Sequence, residues 1–360
     1  PMKDLTLAAG PTAFAHIQKN GLQANDVAAI FGASGAAKWL AIAGLDQAVF
    51  EGFMATRSAA TPVELFGTSV GAFKLAAAAR TAPGKALAAL AQSYIYQSYA
   101  QDAGLAAVDR ETKKLLRAVC DEDLIGAGEI LANPKYHLHI GTVRCHGWLN
   151  HPSKAGQALA LARAGLAATV SDNHLQGMAE RVIFSDPRSS LELTARDSYK
   201  VRQERLTSDV FLKALRASGS IPVYMQPVQF DDDAAHAYRD GGLLDYHPIP
   251  SSFWPRQDGL ILYPHFYDHF KTRWFDKFYP WRRASADRLD RVVMVSPSRD
   301  YIAKLPDAKI PARQDFMKYR KNETDRFDKW QIVVQRSHDL GAQFLEACQS
   351  GDIARHVVPL

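Results

Sequence analysis

The chain has 360 residues, 47% of them hydrophobic and 22% charged, with a formal net charge of +5. This is ordinary globular composition with length for a large core, and the dispersed mild basicity permits attraction to anionic lipid without demanding it. No window approaches the roughly 20 apolar residues of a membrane span, and three scattered cysteines, Cys120, Cys145 and Cys348, offer neither a disulfide framework nor zinc spacing.

Pro1 reads as a remnant before a native Met2, and the apolar run within 3–10 is too short for a secretory signal. A cytoplasmic protein in a reducing compartment is the expectation. Short apolar runs then alternate with long helical patterns. Strands are expected at 27–31, 63–66, 136–141, 181–184, 223–225, 259–263 and 291–295. Helices are expected at 36–50, 71–80, 85–101, 110–121, 154–168, 208–217 and about 322–349. The alternation predicts an α/β fold with a largely parallel sheet. The proline- and serine-rich stretch 248–256 marks a boundary, which divides the chain into a catalytic domain, 1–250, and a C-terminal extension, 251–360.

The third expected element junction carries the strongest chemical signal. A short buried strand ends in Phe66, followed by Gly67-Thr68-Ser69-Val70-Gly71 and an alanine-rich helix. A strand, a G-x-S-x-G turn and a helix form a nucleophile elbow. Gly67 and Gly71 are required because side chains there would collide with strand and helix. Ser69 would stand on the apex, where the helix N-terminus favours negative charge at its oxygen. The bland alternative is a tight strand-to-helix turn.

An earlier loop, Ser34-Gly35-Ala36-Ala37-Lys38, follows one expected strand and opens a helix. Its small residues let backbone N–H groups point at an anion, as an oxyanion hole requires. It lacks the P-loop spacing and the full G-x-G-x-x-G, so phosphate cradling is disfavoured. Alanine at position 36 can offer its N–H where its φ is negative. Further on, Asp240-Gly241-Gly242 places a carboxylate in a tight turn. Within reach of Ser69, a partly desolvated Asp240 could act as general base; otherwise it is an Asp-Gly turn.

These three ordered motifs, over about residues 25 to 250, resemble the patatin-like phospholipases. Arg216-Ala217-Ser218-Gly219-Ser220-Ile221-Pro222 also resembles the segment those proteins carry before their aspartate. The resemblance implies a three-layer α/β/α patatin-like sandwich with a C-terminal helical and aromatic extension. It implies lipid acyl ester hydrolysis by a Ser69–Asp240 dyad, with Gly35 and Ala36 N–H groups receiving the oxyanion. Lys38, Gly67, Gly71 and Gly241 would support the site, with no metal and no cofactor. The glycine run is thinned here to Gly35-Ala36-Ala37, with Trp39 where a glycine is common. A catalytically weak lipid-binding protein of the same fold is therefore an alternative. A Ser-Asp-His α/β-hydrolase is another, with His247, His265, His269 or His338 as the third member, although only about two strands precede Ser69.

Other features read as structural. Asp231-Asp232-Asp233 suggests a solvated acidic turn, and His137 and His139 alternate on a strand without a third ligand nearby. The stretch from Tyr263 to Arg283 interleaves aromatics with Lys271, Arg273, Lys277, Arg282 and Arg283. It suits a cap packed on the catalytic domain or peripheral contact with an anionic membrane, and not nucleic acid.

Overall fold

The structure, a computed structural model, describes residues 2–99, 104–121, 125–171 and 173–360. Among the described residues ten strands form one sheet: β1 (Leu5–Ala9), β2 (Val27–Gly32), β3 (Val63–Thr68), β4 (Tyr136–Cys145), β5 (Ala179–Ser185), β6 (Val201–Arg205), β7 (Tyr238–Asp240), β8 (Leu260–Pro264), β9 (Val292–Pro297) and β10 (Val357–Pro359). The order is β10-β1-β9-β8-β2-β3-β4-β5-β6, with β7 pairing β4 off that path. The central run from β9 through β8, β2 and β3 to β4 is parallel, while β9 with β1 and β4 with β5 and β7 are antiparallel. Helices cover the sheet, giving the α/β/α sandwich that the resemblance implied and the largely parallel sheet that the alternation predicted.

The central strands are largely apolar because both faces are covered. All six residues of β3 are buried, and so are nearly all of β2 and β4. A buried polar cluster on this stretch satisfies itself. Glu64 of β3 lies between His137 and His139 of β4, at 3.1 and 2.7 Å. Burial pushes Glu64 up, but these hydrogen bonds outweigh it and hold the carboxyl down at about 2. The two histidines thus have a structural partner.

Several expectations change. The boundary at 250 is no break in the fold. β8 and β9 sit inside the sheet between β2 and β1, and β10 closes its edge, so the last third completes the core. The stretch 223–225 is not a strand: Val223 has φ 70°, and Met225 N–H donates to Ile221 O in a turn. The helix expected at 36–50 breaks into a 3-10 segment, Ala36–Ile42, a short α-helix, Ala43–Gln47, and a π turn, Ala48–Phe53. Its tight seat on the long helix Glu323–Ser350 accounts for this. Gly44 N–H donates to Ser337 Oγ at 2.7 Å, and a Cβ on Gly44 would meet the His338 backbone at 2.5 Å. The end of the helix expected at 85–101 lies outside the described residues; the observed helix is Pro83–Ile95.

The aromatic stretch after β8 is largely internal. Tyr263, Phe266, Phe270 and Phe275 are buried, as are Lys271 and Arg273. The Lys271 ammonium donates to the carbonyls of Tyr279 and Arg282 at 2.8 and 3.0 Å. Phe278 and Trp281 are the exposed exceptions, at 60% and 70%.

Candidate active site

β3 delivers its last residue, Thr68, to the carboxyl end of the parallel run, where α/β sheets place their ligands. Ser69 follows with φ 53° and ψ −130°, and the helix Val70–Ala78 starts at once. A non-glycine residue in this sparsely populated region costs of order 1–3 kcal/mol and persists only where its surroundings impose it. Here they do. A Cβ on Gly71 would fall 2.2 Å from Gly32 O, so the elbow helix runs hard against the end of β2. A Cβ on Gly67 would meet Ala72 N at 2.5 Å. The Ser69 N–H donates to Ser218 Oγ at 2.9 Å, and that hydroxyl donates on to Gly141 O at 2.7 Å.

Asp240 ends the three-residue strand β7, whose register sets it opposite Thr142 of β4. Its backbone N–H donates to Ser220 O, and Oδ1 accepts from Gly242 N–H at 2.7 Å. The other oxygen, Oδ2, accepts from Ser69 Oγ at 2.7 Å. Gly241 permits the tight approach, since a Cβ there would lie 2.3 Å from Gly141 O. Burial pushes the Asp240 carboxyl up to about 6, against the lowering from Ser69, Gly242, Arg313 and Lys277. The sequence motifs 171 residues apart are therefore one hydrogen-bonded pair.

The loop after β2 reaches the same place. Ser34 Oγ lies 2.9 Å from Thr68 Oγ1, which in turn donates to Asp245 O. Gly35 presses on Phe266, where a Cβ would meet the ring at 2.5 Å. Ala36 opens the 3-10 segment with φ 50°, in the left-handed region, and so departs from the negative φ expected of it. The strain is imposed where a glycine would be at ease. N–H groups at a helix start have no intrahelical acceptor, and Gly35 and Ala36 line the cleft beside Ser69. Lys38 also lines the cleft, its ammonium 3.4 Å from Tyr246 Oη.

The cleft at Ser69 has two lobes. One, of about 330 Å³, is lined by Lys38, Tyr246, Trp274, Lys277 and Arg313 together with Asp240. The other, of about 320 Å³, is lined by Val70, Phe73, Tyr94, Leu115, Phe316 and Met317. Ser69, Ala36, Ile221, Tyr224, Arg313 and Gln314 border both.

The histidines considered for a triad stay apart from this pair. His247 and His265 are fully buried, and burial pulls both below the ordinary imidazole value, His265 to about 3. Each Nδ1 accepts a backbone N–H, from Lys271 and Tyr267. His269 pairs with Asp268, and His338 lies on the long C-terminal helix. Asp233 is engaged by Arg144, His236 and Tyr238, and no group of three His, Cys, Asp or Glu side chains suited to a metal occurs among the described residues.

The comparison that decides the family is the family model described as "Patatin-like phospholipase", which matches residues 32–252. The chain belongs to the patatin-like phospholipases. Membership supports lipid acyl hydrolase activity in general terms. VipD from Legionella pneumophila aligns over 86% of this chain and 67% of its own length, at 10% identity and a TM-score of 0.34, a likeness that carries no argument. No curated protein matches the sequence. Among the described residues no helix is long and apolar enough to cross a membrane.

Ser218, Ser220 and Gly242 hold the pair, and the sequence offered them only inside longer motifs, Ser218 and Ser220 in the segment before Asp240 and Gly242 in the aspartate turn. Lys277 and Arg313 come from beyond the family match and had no motif to mark them as cleft residues.

Proposed function

We propose that this patatin-like protein hydrolyses carboxylic esters of lipids through an acyl-enzyme on Ser69. The observation that carries the proposal is the 2.7 Å hydrogen bond from the strained Ser69 to the buried Asp240 at the junction of two lobes. Asp240 Oδ2 takes the hydroxyl proton as Oγ attacks the acyl carbonyl carbon. The C=O electron pair moves to oxygen, where the N–H groups of Gly35 and Ala36 receive it. Collapse breaks the ester C–O bond, and the leaving alcohol takes the proton from Asp240. Water then attacks the acyl-enzyme and passes a proton to Asp240. Ser69 leaves with that proton as the fatty acid is released.

A carboxyl at about 6 suits this duty: it is ionised at neutral pH yet more basic than an exposed aspartate. The test is hydrolysis of a short-chain p-nitrophenyl ester, together with labelling by a fluorophosphonate. Wild type is expected to turn over the ester and to carry one phosphonyl adduct on Ser69, with both lost in Ser69→Ala. The second reading, a lipid-binding protein with little turnover, draws on the left-handed Ala36 in the oxyanion loop. Lipid binding without ester turnover or labelling would favour it.

A further inference from the structure

One buried hydroxyl joins the three segments that meet at Ser69. It belongs to Thr68, the last residue of β3. Thr68 Oγ1 donates at 2.8 Å to the backbone carbonyl of Asp245, on the turn that follows Asp240. A carbonyl can only accept, so the single Thr68 proton is spent there. The 2.9 Å contact between Ser34 Oγ and Thr68 Oγ1 therefore runs the other way, with Ser34 donating. The chain is directional: Ser34 O–H to Thr68 O–H to Asp245 C=O. A second stitch lies beside it, from Ser34 N–H to Tyr246 O at 2.8 Å.

Both ends of this chain are held. The Asp245 carboxylate accepts twice from buried Arg181 of β5, at 2.6 and 2.9 Å, and Arg181 also donates to Asp197 at 3.0 Å. At the other end a Cβ on Gly242 would lie 2.5 Å from Ser34 Oγ. The Thr68 methyl is equally confined, since a Cβ on Gly141 or Gly241 would meet it at 2.7 or 2.8 Å. Ser69 itself bonds to Asp240 and, through its N–H, to Ser218, and neither bond involves the loop at Ser34. The hydroxyl of Thr68 supplies that tie. Losing it would leave a buried carbonyl and a buried hydroxyl without their partner, which is costly away from water.

We infer that Thr68 is a positioning residue, whose hydroxyl holds the loop at Ser34 and the turn from Asp240 to Asp245 in register with Ser69, so that base, nucleophile and N–H donors meet one carbonyl group. The inference rests on the hydrolase reading and adds a residue that acts only through its neighbours. Thr68 lines neither lobe of the cleft among the described residues, so its loss should leave ground-state binding in place. A misplacement of about 1 Å at the reacting atoms can cost on the order of a hundredfold in rate. The effect should therefore fall on kcat and not on KM.

The experiment measures kcat and KM on a short-chain p-nitrophenyl ester, with fluorophosphonate labelling of Ser69 and urea unfolding of each variant. Thr68→Val removes the hydroxyl at nearly constant volume, and kcat is expected to fall by about tenfold to a hundredfold with KM within about twofold. Thr68→Ser restores the hydroxyl and should recover most of kcat. Ser34→Ala cuts the same chain one link earlier and should lower kcat by less. The double variant Ser34→Ala/Thr68→Val should lose no more than Thr68→Val alone, because both changes break one chain. Should Thr68→Val fail to fold, Thr68→Ala takes its place against Thr68→Ser. Unchanged kcat in the variant lacking the hydroxyl, beside an active and labelled wild type, overturns the positioning role and leaves the hydrolase reading intact; a lowered urea midpoint alone then assigns the hydroxyl to stability. Equal losses in Thr68→Val and Thr68→Ser overturn it in favour of the methyl, and a loss confined to KM overturns it in favour of substrate binding. Strictly additive losses in the double variant overturn the single chain. A wild type with neither turnover nor labelling overturns both readings.

Discussion

Replacing Asp240 by Asn separates the chemistry of this carboxylate from its effect on stability. Asn keeps the shape and can still accept from Gly242 N–H, whose donor lies 2.7 Å from Oδ1. It cannot act as the base, so kcat should fall by about 10²- to 10⁴-fold. The stability effect has the opposite sign. Burial raises the folded carboxyl from an ordinary 3.8 to about 6, so the native state holds its proton where the unfolded chain has released it. Wild type therefore loses stability as pH rises between those two values and is level above them. At 1.36 kcal/mol per tenfold, the full effect is roughly 3 kcal/mol. Because the unfolded group is itself partly protonated near pH 4, the difference read between about pH 4 and about pH 8 is roughly 2.5 kcal/mol. Urea unfolding of both proteins across this range isolates it, since all other groups are shared. Asp240→Asn should gain on wild type as pH rises, while wild-type kcat/KM climbs through about 6. Parallel stability curves would refute the raised carboxyl. A variant keeping more than about a tenth of wild-type kcat would refute the base.

Ser69→Gly and Ser69→Ala should both lack activity, but the glycine variant should be the more stable by about 1 kcal/mol, because only glycine relaxes at φ 53°; equal urea midpoints would count against strain at the elbow. If Phe278 and Trp281 touch lipid, the double change to Ser should weaken flotation with anionic vesicles at low salt while leaving soluble ester hydrolysis in place. That binding should also fade as salt rises, through the exposed Arg283. Absence of wild-type flotation at low salt would remove the membrane contact.

The parts legible in the sequence were those governed by local rules. The parallel run β2, β3, β4, β8 and β9 shows as apolar stretches because both faces are covered. The elbow shows because a serine at a sharp strand-to-helix turn needs small neighbours on both sides. What stayed hidden depends on distant partners. β6, Val-Arg-Gln-Glu-Arg, is a half-exposed strand with charged residues, and only its pairing to β5 makes it one. β7 is three residues long and owes its existence to β4. Residues 36–50 carry a helical pattern, yet the long C-terminal helix presses on Gly44 and divides them into three helix types.

The same dependence explains why the cleft could not be read from the sequence motifs that meet in it. The family match ends at residue 252, before β8, and the pair Ser69–Asp240 lies wholly within it. The walls that define what the pair can accept do not. Trp274 and Lys277 arrive on the segment after β8, and Arg313 on the segment after β9, because those strands are inserted beside β2 in the middle of the sheet. Insertion at that position carries both connections over the carboxyl end of β2, where the loop 34–38 lies, and Phe266 locks one of them against Gly35. The Ser69–Asp240 pair is thus set by the first two thirds of the chain, whereas Lys277 and Arg313 in the cleft wall come from the last third. A truncation after residue 252 would remove two strands from the centre of the sheet along with Trp274, Lys277 and Arg313, so the part this wall plays is tested by single substitutions, not by deletion.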